Sequence, residues 1–465
     1  MRKILILLLI IIAILSSCIS KQSPLVIYEY IEGMPLVLEF ERPVISVDIY
    51  EGNNLVYSYN GDIIYQLKTN YIFHTDITVK ITEFNNKTYT NVIRKVEPKI
   101  HFLLYGGADN SLDQKFDDPL TNEYDYFFDL DIIEIKNSIQ KSSQNILVTV
   151  LGDRKAKDDE LIFIANLNGK YMEYRYKPYE FNFDLEITSA STDTLFEFLD
   201  KMFVKNKNTI KVLDIWDHGN GWAWESKGLL STKAIVQDDT NKSYLKIKDI
   251  RDVIDAYNNK YNTKIDVLAF DACNMTSLEI MYEFKDLVDY FIGSVYTVAG
   301  FGFYYDFFHD LNENNLVESF VYNVIKAYNY YYTNISYLDR LTLVGFKLNE
   351  FNWNNIEKIN DLKEDYVLYK NDGRLYESEP TDMIDVNDLV LNTNEYLSSY
   401  INPAIVNAIV RIDGVNYPYS GIGIMFEDIF KDTNNNYLDY KALSFYNDFQ
   451  DWIENIWKNI IIGNN

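Results

Sequence analysis

Ile210-Lys211-Val212-Leu213-Asp214-Ile215-Trp216-Asp217-His218-Gly219-Asn220-Gly221-Trp222 and Ile265-Asp266-Val267-Leu268-Ala269-Phe270-Asp271-Ala272-Cys273-Asn274-Met275 share one pattern. Each is a short, largely apolar run that ends on an acid and then on small or turn-forming residues. Such a run suits a strand covered on both faces, as in the parallel sheets of α/β proteins. Comparable runs occur at Ile100–Tyr105, Ile146–Leu151 and Tyr290–Ser294. Between them, Asp131–Lys141, Thr192–Phe203, Ile247–Tyr257 and Thr276–Phe284 carry apolar residues at helical spacing. The alternation predicts an α/β domain, residues 98–465, with a mostly parallel sheet flanked by helices. Thr342–Phe346 and Gly421–Phe426 read as later strands and Leu443–Trp457 as a closing helix.

Working outward, the pattern changes near Glu97-Pro98. Residues 25–97 run in short stretches rich in Val, Ile, Tyr and Thr, separated by turn signals such as Gly52-Asn53-Asn54 and Asn60-Gly61-Asp62. That spacing predicts a small all-β, sandwich-like domain. Further back, Arg2-Lys3 precede the uninterrupted apolar run Ile4–Leu15, too short to span a bilayer comfortably and therefore read as an export signal. It ends in Leu15-Ser16-Ser17-Cys18, which resembles the bacterial lipobox: residues 1–17 are expected to be removed, Cys18 to be lipidated, and 18–24 to form a tether. With Cys18 lipidated, Cys273 is the one remaining cysteine and no internal disulfide can form, although an exported protein is free to use them.

The 465 residues are 47% hydrophobic and 15% aromatic, enough for a substantial core. Lys and Arg number 43 against 69 for Asp and Glu, a net charge of −26 that argues against a nucleic-acid partner and favours encounters with cations and basic peptides.

The chemistry concentrates where the two quoted runs end. Open α/β sheets place their sites at the carboxyl edge of the strands. His218 and Cys273 are 273 − 218 = 55 residues apart, room for one crossover helix, so adjacent parallel strands can hold them side by side. A thiolate is a strong nucleophile at neutral pH, and a nearby imidazole stabilises it and protonates the leaving amine. Gly219 leaves the backbone open, so its N–H and that of Cys273 are candidate oxyanion donors. Taken singly, a Cys after a buried strand is more often a small core residue, and a strand-end His a structural one; taken together they favour catalysis. Zinc is a poorer account, because one Cys and one His supply two ligands where three or four are expected. Asp214 and Asp217 are competing acids, otherwise read as solvated strand-end groups.

These residues resemble the clostripain family of cysteine peptidases, related in fold to caspases and gingipains. The family's Gly-Asp-Asn-Asn-Leu-like element is echoed by Gly106-Gly107-Ala108-Asp109-Asn110-Ser111-Leu112, its His-Gly-x-Gly-Trp by His218–Trp222, and its Asp-Ala-Cys-x-Met by Asp271–Met275. Similarity runs from about Ile100 to the C-terminal helix and includes Ser420–Ile424. The resemblance implies a caspase-like sheet, Cys273 as nucleophile, His218 as proton donor, Gly219 in the oxyanion site, and Asp271 at the base of a pocket for Arg or Lys. A buried carboxylate facing a guanidinium makes charge-assisted bonds that a neutral side chain would leave unmade. One stretch departs: where the family commonly carries acids, this chain reads Gly293-Ser294-Val295-Tyr296-Thr297-Val298-Ala299-Gly300-Phe301-Gly302-Phe303, which keeps the glycines and loses the acids. Relatives often cut themselves between the His and Cys segments; Lys227, Lys233, Lys242 and Lys246 lie in that interval, with Lys227-Gly228 on the most loop-like stretch. Some require calcium, so the resemblance admits calcium where the residues require no cofactor; Asp432–Asn436 lacks the glycine of a calcium loop and reads as a solvated turn.

The expectation is an exported, membrane-anchored lipoprotein at the bacterial surface or facing the periplasm. It hydrolyses polypeptides after Arg or Lys through a metal-free Cys-His dyad. The alternative is a non-catalytic surface lipoprotein: a relic peptidase scaffold whose β-module binds another protein.

Overall fold

The computed structural model describes residues 22–117, 124–219, 221, 235–336, 338–369, 383–412, 414–426 and 435–464. The leader at 1–17, Cys18, Lys227 and residues 432–434 lie outside them. The chain separates into two compact units between Glu97 and Pro98.

In the first unit β1 (Glu29–Ile31), β2 (Pro35–Glu51), β3 (Asn54–Ile72), β4 (Ile77–Glu83) and β5 (Thr88–Val96) form one sheet in the order β1-β5-β4-β2-β3. Gly52-Asn53 makes the turn between β2 and β3. Asn60-Gly61-Asp62, expected as a second turn, instead lies inside β3, where the pairing with β2 slips between Val44 and Ser46. An Asn-Gly pair accommodates a bulge as well as a turn, and the bulge bends the long ribbon. Both halves of β2 therefore face one core: Leu36, Leu38 and Phe40 cluster with Val44, Val47 and Ile49, and with Val79 and Ile81 of β4. The unit is all-β, as expected, and is built on a single five-stranded sheet.

The second unit is built on a ten-stranded sheet. In chain order its strands are β6 (Ile100–Ala108), β7 (Ile146–Arg154), β8 (Glu160–Leu167), β9 (Lys170–Tyr176), β10 (Ile210–Trp216), β11 (Ile265–Asp271), β12 (Val288–Gly293), β13 (Leu341–Lys347), β14 (Ile405–Ile412) and β15 (Val415–Asn416). Their spatial order is β9-β8-β7-β6-β10-β11-β12-β13-β14-β15. The five central strands, β7-β6-β10-β11-β12, are parallel, as their apolar runs require. Both margins are antiparallel.

Helices cover both faces. On one, α1 (Phe127–Lys141) and α5 (Leu316–Asn334) join Phe102 and Leu104 of β6 in a single core through Phe128, Ile132, Val321 and Tyr328. On the other, Phe198 of α2 (Thr192–Met202) packs on Tyr105 at 5.7 Å between ring centroids. Tyr257 of α3 (Ile247–Tyr261) meets Phe203 at 5.7 Å. Phe284 of α4 (Leu278–Phe284) meets Phe270 at 6.0 Å. Phe445 of α6 (Ser444–Trp452) then packs on Tyr282 of α4.

The feature that matters for function is the register. Trp216 pairs with Gly106 on one side and with Asp271 on the other, so the segments leaving β6, β10 and β11 emerge side by side at the carboxyl edge.

Candidate active site

His218 lies two residues beyond Trp216, and Cys273 two beyond Asp271. Equal offsets from paired residues, on strands about 4.8 Å apart, make them neighbours. The two loops meet at the backbone. A Cβ on Gly219 would stand 2.1 Å from the Cys273 carbonyl oxygen and 2.6 Å from its nitrogen, so this position admits glycine alone.

Among the described residues the two side chains do not hydrogen-bond to each other. His218 Nε2 shares a 2.9 Å bond with Ser111 Oγ. Cys273 Sγ accepts the Val298 N–H at 3.2 Å and faces that residue's carbonyl at 3.6 Å. Burial pushes the thiol up to about 11, an effect that the backbones of Val298 and Gly219 offset in part and Asp271 reinforces. Burial also pulls the His218 imidazole down to about 4, against the opposing field of Asp239. At neutral pH the site therefore holds a thiol and an uncharged ring rather than an ion pair.

Ser111, which sequence reasoning quoted without assigning it a role, is presented by the loop after β6. Asn110 Nδ2 ties that loop down by donating to the Gly107 carbonyl and Asp217 Oδ1, both at 2.7 Å, and to the Gln237 carbonyl at 3.1 Å. Asp217 also accepts the backbone N–H groups of His218 and of Gln237. Asp217 and Asp214 are thus not solvated, as the strand-end reading had them, but buried. Burial holds both carboxyls well above the usual carboxylate range.

Asp271 is only 4% exposed. Its Oδ2 accepts the Phe303 N–H at 2.7 Å and lies 3.0 Å from the Tyr305 hydroxyl, which is also 2.8 Å from Asp214 Oδ2. The Oδ1 atoms of Asp271 and Asp214 are buried without a partner. Burial pushes Asp271 up to about 7, with the Phe303 and Tyr305 bonds opposing. A Cβ on Gly302 would be 2.3 Å from Asp271 Oδ2. The stretch that departs from the family pattern accordingly closes over this part of the site: Tyr296 accepts the Asn274 N–H, Val298 engages the sulfur, and Gly302-Phe303 seals Asp271. Among the described residues Asp271 is thus buried and held by Phe303 and Tyr305.

Beside the site, Arg154 has a fully buried side chain and pairs with Asp113 at 2.7 Å, Asp129 at 3.0 Å and Glu160 at 2.9 Å. Asp113 ends the same loop that carries Ser111. One group of carboxylates, Asp109, Asp153 and Glu186, has the spacing to hold a metal ion. Among the described residues, no helix is long and apolar enough to cross a membrane.

A parallel-centred sheet between two helix layers, with Cys and His on adjacent loops at its carboxyl edge, defines a caspase-like α/β protein. The family model described as the clostripain family, peptidase C11, matches residues 119–402, more than half of the chain. The chain belongs to that family and is a cysteine peptidase. Among curated proteins none matches the sequence. Solved structures similar to it include a secreted C11 cysteine protease of Bacteroides thetaiotaomicron in complex with an irreversible peptide inhibitor (17% identity, 75% of this chain and 98% of that one, TM-score 0.54). Another is an inactive zymogen C11 protease of Parabacteroides distasonis (19%, 76% and 98%, 0.52). A third is the secreted B. thetaiotaomicron C11 protease called iotapain (15%, 76% and 99%, 0.51). At these identities the likeness is one of fold.

Proposed function

We propose that the protein is an exported, lipid-anchored endopeptidase that cuts after Arg or Lys, with Cys273 as nucleophile and His218 as its proton partner. The observation that carries this reading is the level exit of β10 and β11, which sets Gly219 against the Cys273 backbone and His218 beside it. The sulfur attacks the scissile carbonyl carbon as its proton passes to His218. Charge developing on the carbonyl oxygen falls to the N–H groups of Gly219 and Cys273. His218 returns the proton to the departing amine, and water then releases the acyl group. Val298 occupies the sulfur in the resting form, so productive binding displaces that segment. The contacts of Val298 with the sulfur favour a form that awaits activation, with cleavage after Lys227 the candidate event.

The unpartnered Oδ1 of Asp271 supports basic specificity, because a guanidinium or ammonium supplies the donor it lacks. A carboxyl at about 7 ionises readily once a cation faces it. A digest of denatured proteins is expected to show cut sites after Arg and Lys. Asp271→Asn should lower kcat/KM on such peptides by about 100-fold. It should also remove the rise in activity between pH 6 and 8 that ionisation of Asp271 produces. Cut sites after apolar residues, or an unchanged preference in the Asp271→Asn protein, would contradict the assignment. For the anchor, the expected result is partition of the protein into a detergent phase and its loss in Cys18→Ala; an aqueous wild-type protein would refute it.

A further inference from the structure

Asp214 on β10 and Asp271 at the end of β11 are buried acids joined by a single hydroxyl. Tyr305 Oη lies 2.8 Å from Asp214 Oδ2 and 3.0 Å from Asp271 Oδ2. All three side chains are buried. A phenol has one proton to donate. Burial, with Asp214 and Asp271 adding, holds the Tyr305 phenol well above its ordinary value, so that proton stays in place. Were both carboxyls ionised, one of the two oxygen–oxygen contacts would contain no proton, and two buried charges would face each other across it. The bridge therefore requires a second proton, carried by one of the two acids.

The surroundings decide which. Asp271 Oδ2 also accepts the Phe303 N–H at 2.7 Å, a backbone donor that favours the charged form. From α1 come two more acids, Asp131, which accepts the Trp216 indole N–H at 2.8 Å, and Glu134, which accepts the Tyr305 N–H at 2.9 Å. Tyr328 and Tyr332 of α5 and the Cys273 thiol lie in the field of Asp271. We propose that Asp214 carries the second proton and, through Tyr305, holds Asp271 ionised as the acid that meets a basic side chain. The Asp214 carboxyl donates to the Tyr305 oxygen, and the Tyr305 hydroxyl donates to the Asp271 carboxylate. The acidities run in the same order. Burial first, then the field of Asp271, holds Asp214 well above the carboxylate range against the Tyr305 hydroxyl and the Asp271 N–H. Burial pushes Asp271 only to about 7, with the Phe303 and Tyr305 bonds opposing.

This inference rests on Asp271 as the specificity acid and adds what sets its charge: Asp214 and Tyr305 are positioning residues that act through it. A guanidinium or ammonium meets a carboxylate already formed, so no proton has to leave the site on binding. A neutral side chain of the same shape leaves that charge unpaired. Without the phenol bridge Asp271 loses a donor to its charged form and stays protonated to higher pH.

The test follows the ratio of kcat/KM on arginyl to kcat/KM on citrullinyl peptide amides across pH at fixed ionic strength. Titration of Cys273 and His218 cancels in that ratio, because the two substrates differ only in charge. In wild type it should rise with a midpoint near the Asp271 value of about 7. Tyr305→Phe should move the midpoint up by at least about one pH unit and lower the ratio at pH 7 by about fivefold or more. Asp214→Asn, which keeps the shape of the uncharged acid, should leave the midpoint within about 0.3 units. A second readout needs no activity: in the Cys273→Ala protein at pH 8, the infrared band of protonated carboxyls should lose intensity on Asp214→Asn. An unmoved midpoint in Tyr305→Phe, a fall of about one unit or more in Asp214→Asn, or an unchanged infrared band would each overturn the proposal. If Asp271→Asn abolishes the arginyl preference while Tyr305→Phe leaves the midpoint in place, this inference alone fails. If Asp271→Asn keeps the preference, the reading of Asp271 fails as well.

Discussion

Cys273→Ala is expected to lower kcat/KM on Arg- or Lys-ended peptide amides by on the order of 10⁴-fold or more, with the fold unchanged. The size of the effect follows from what the residue does: without the sulfur there is no acyl-enzyme, and binding and oxyanion contacts alone give only residual turnover. The resting chemistry sharpens the expectation. With the thiol held near 11 and the ring near 4, both by burial first, the proton does not sit on His218 before substrate arrives. Its transfer belongs to the attack. Losing either partner should therefore be nearly as damaging as losing both, so that Cys273→Ala combined with His218→Ala is no worse than the single change. A Cys273→Ala protein as fast as wild type would end the assignment.

Arg154→Met is expected to cost about 3–5 kcal/mol of stability, read as a lowered thermal or denaturant midpoint. The guanidinium is completely buried and pairs with three acids. Arg154 Nη2 reaches both Asp113 and Asp129, and the group stacks 5.0 Å from the Phe128 ring centroid. Removing it leaves buried Asp113 without a cation, while Asp129 keeps Lys157 and Glu160 keeps Arg175; removing both sides of such a pair is far milder. Arg154→Lys should recover only part of the loss, since an ammonium cannot reproduce the planar fork. Because Asp113 closes the loop that carries Ser111, the folded fraction should also show a disturbed His218 environment. A midpoint within about 1 kcal/mol of wild type would show that the acids find other partners.

The central strands were legible because burial on both faces leaves nearly continuous apolar runs: Ile210–Trp216 matches β10 end for end, and Ile265–Phe270 differs from β11 by one residue. Of the antiparallel margins, Thr342–Phe346 anticipated β13, whereas β8, β9, β14 and β15 were not drawn, although the β8–β9 pair carried its own signal. Asn168-Gly169, at φ 53° and 82°, forms the turn between β8 and β9 that an Asn-Gly pair between apolar segments announces. The same dipeptide misled at Asn60-Gly61, where a bulge took the place of a turn. At the site, spacing alone brought His218 and Cys273 together, because equal offsets survive on paired parallel strands. It could not reveal which polar groups face inward. Asp214 and Asp217 look like solvated strand ends in sequence and are core acids in three dimensions. Ser111, Asp109, Asp153 and Glu186 come together only through contacts between elements far apart in the chain.

The most direct test of the account is a mass-mapped label. Wild-type, His218→Ala and Cys273→Ala proteins are treated with a lysyl or arginyl chloromethyl ketone under conditions in which the wild type digests substrate. The account predicts one adduct, on Cys273, formed rapidly in wild type, strongly slowed in His218→Ala and blocked by a competing basic peptide. Equal labelling of Cys273 with and without His218, or no adduct on Cys273 in active protein, would contradict it.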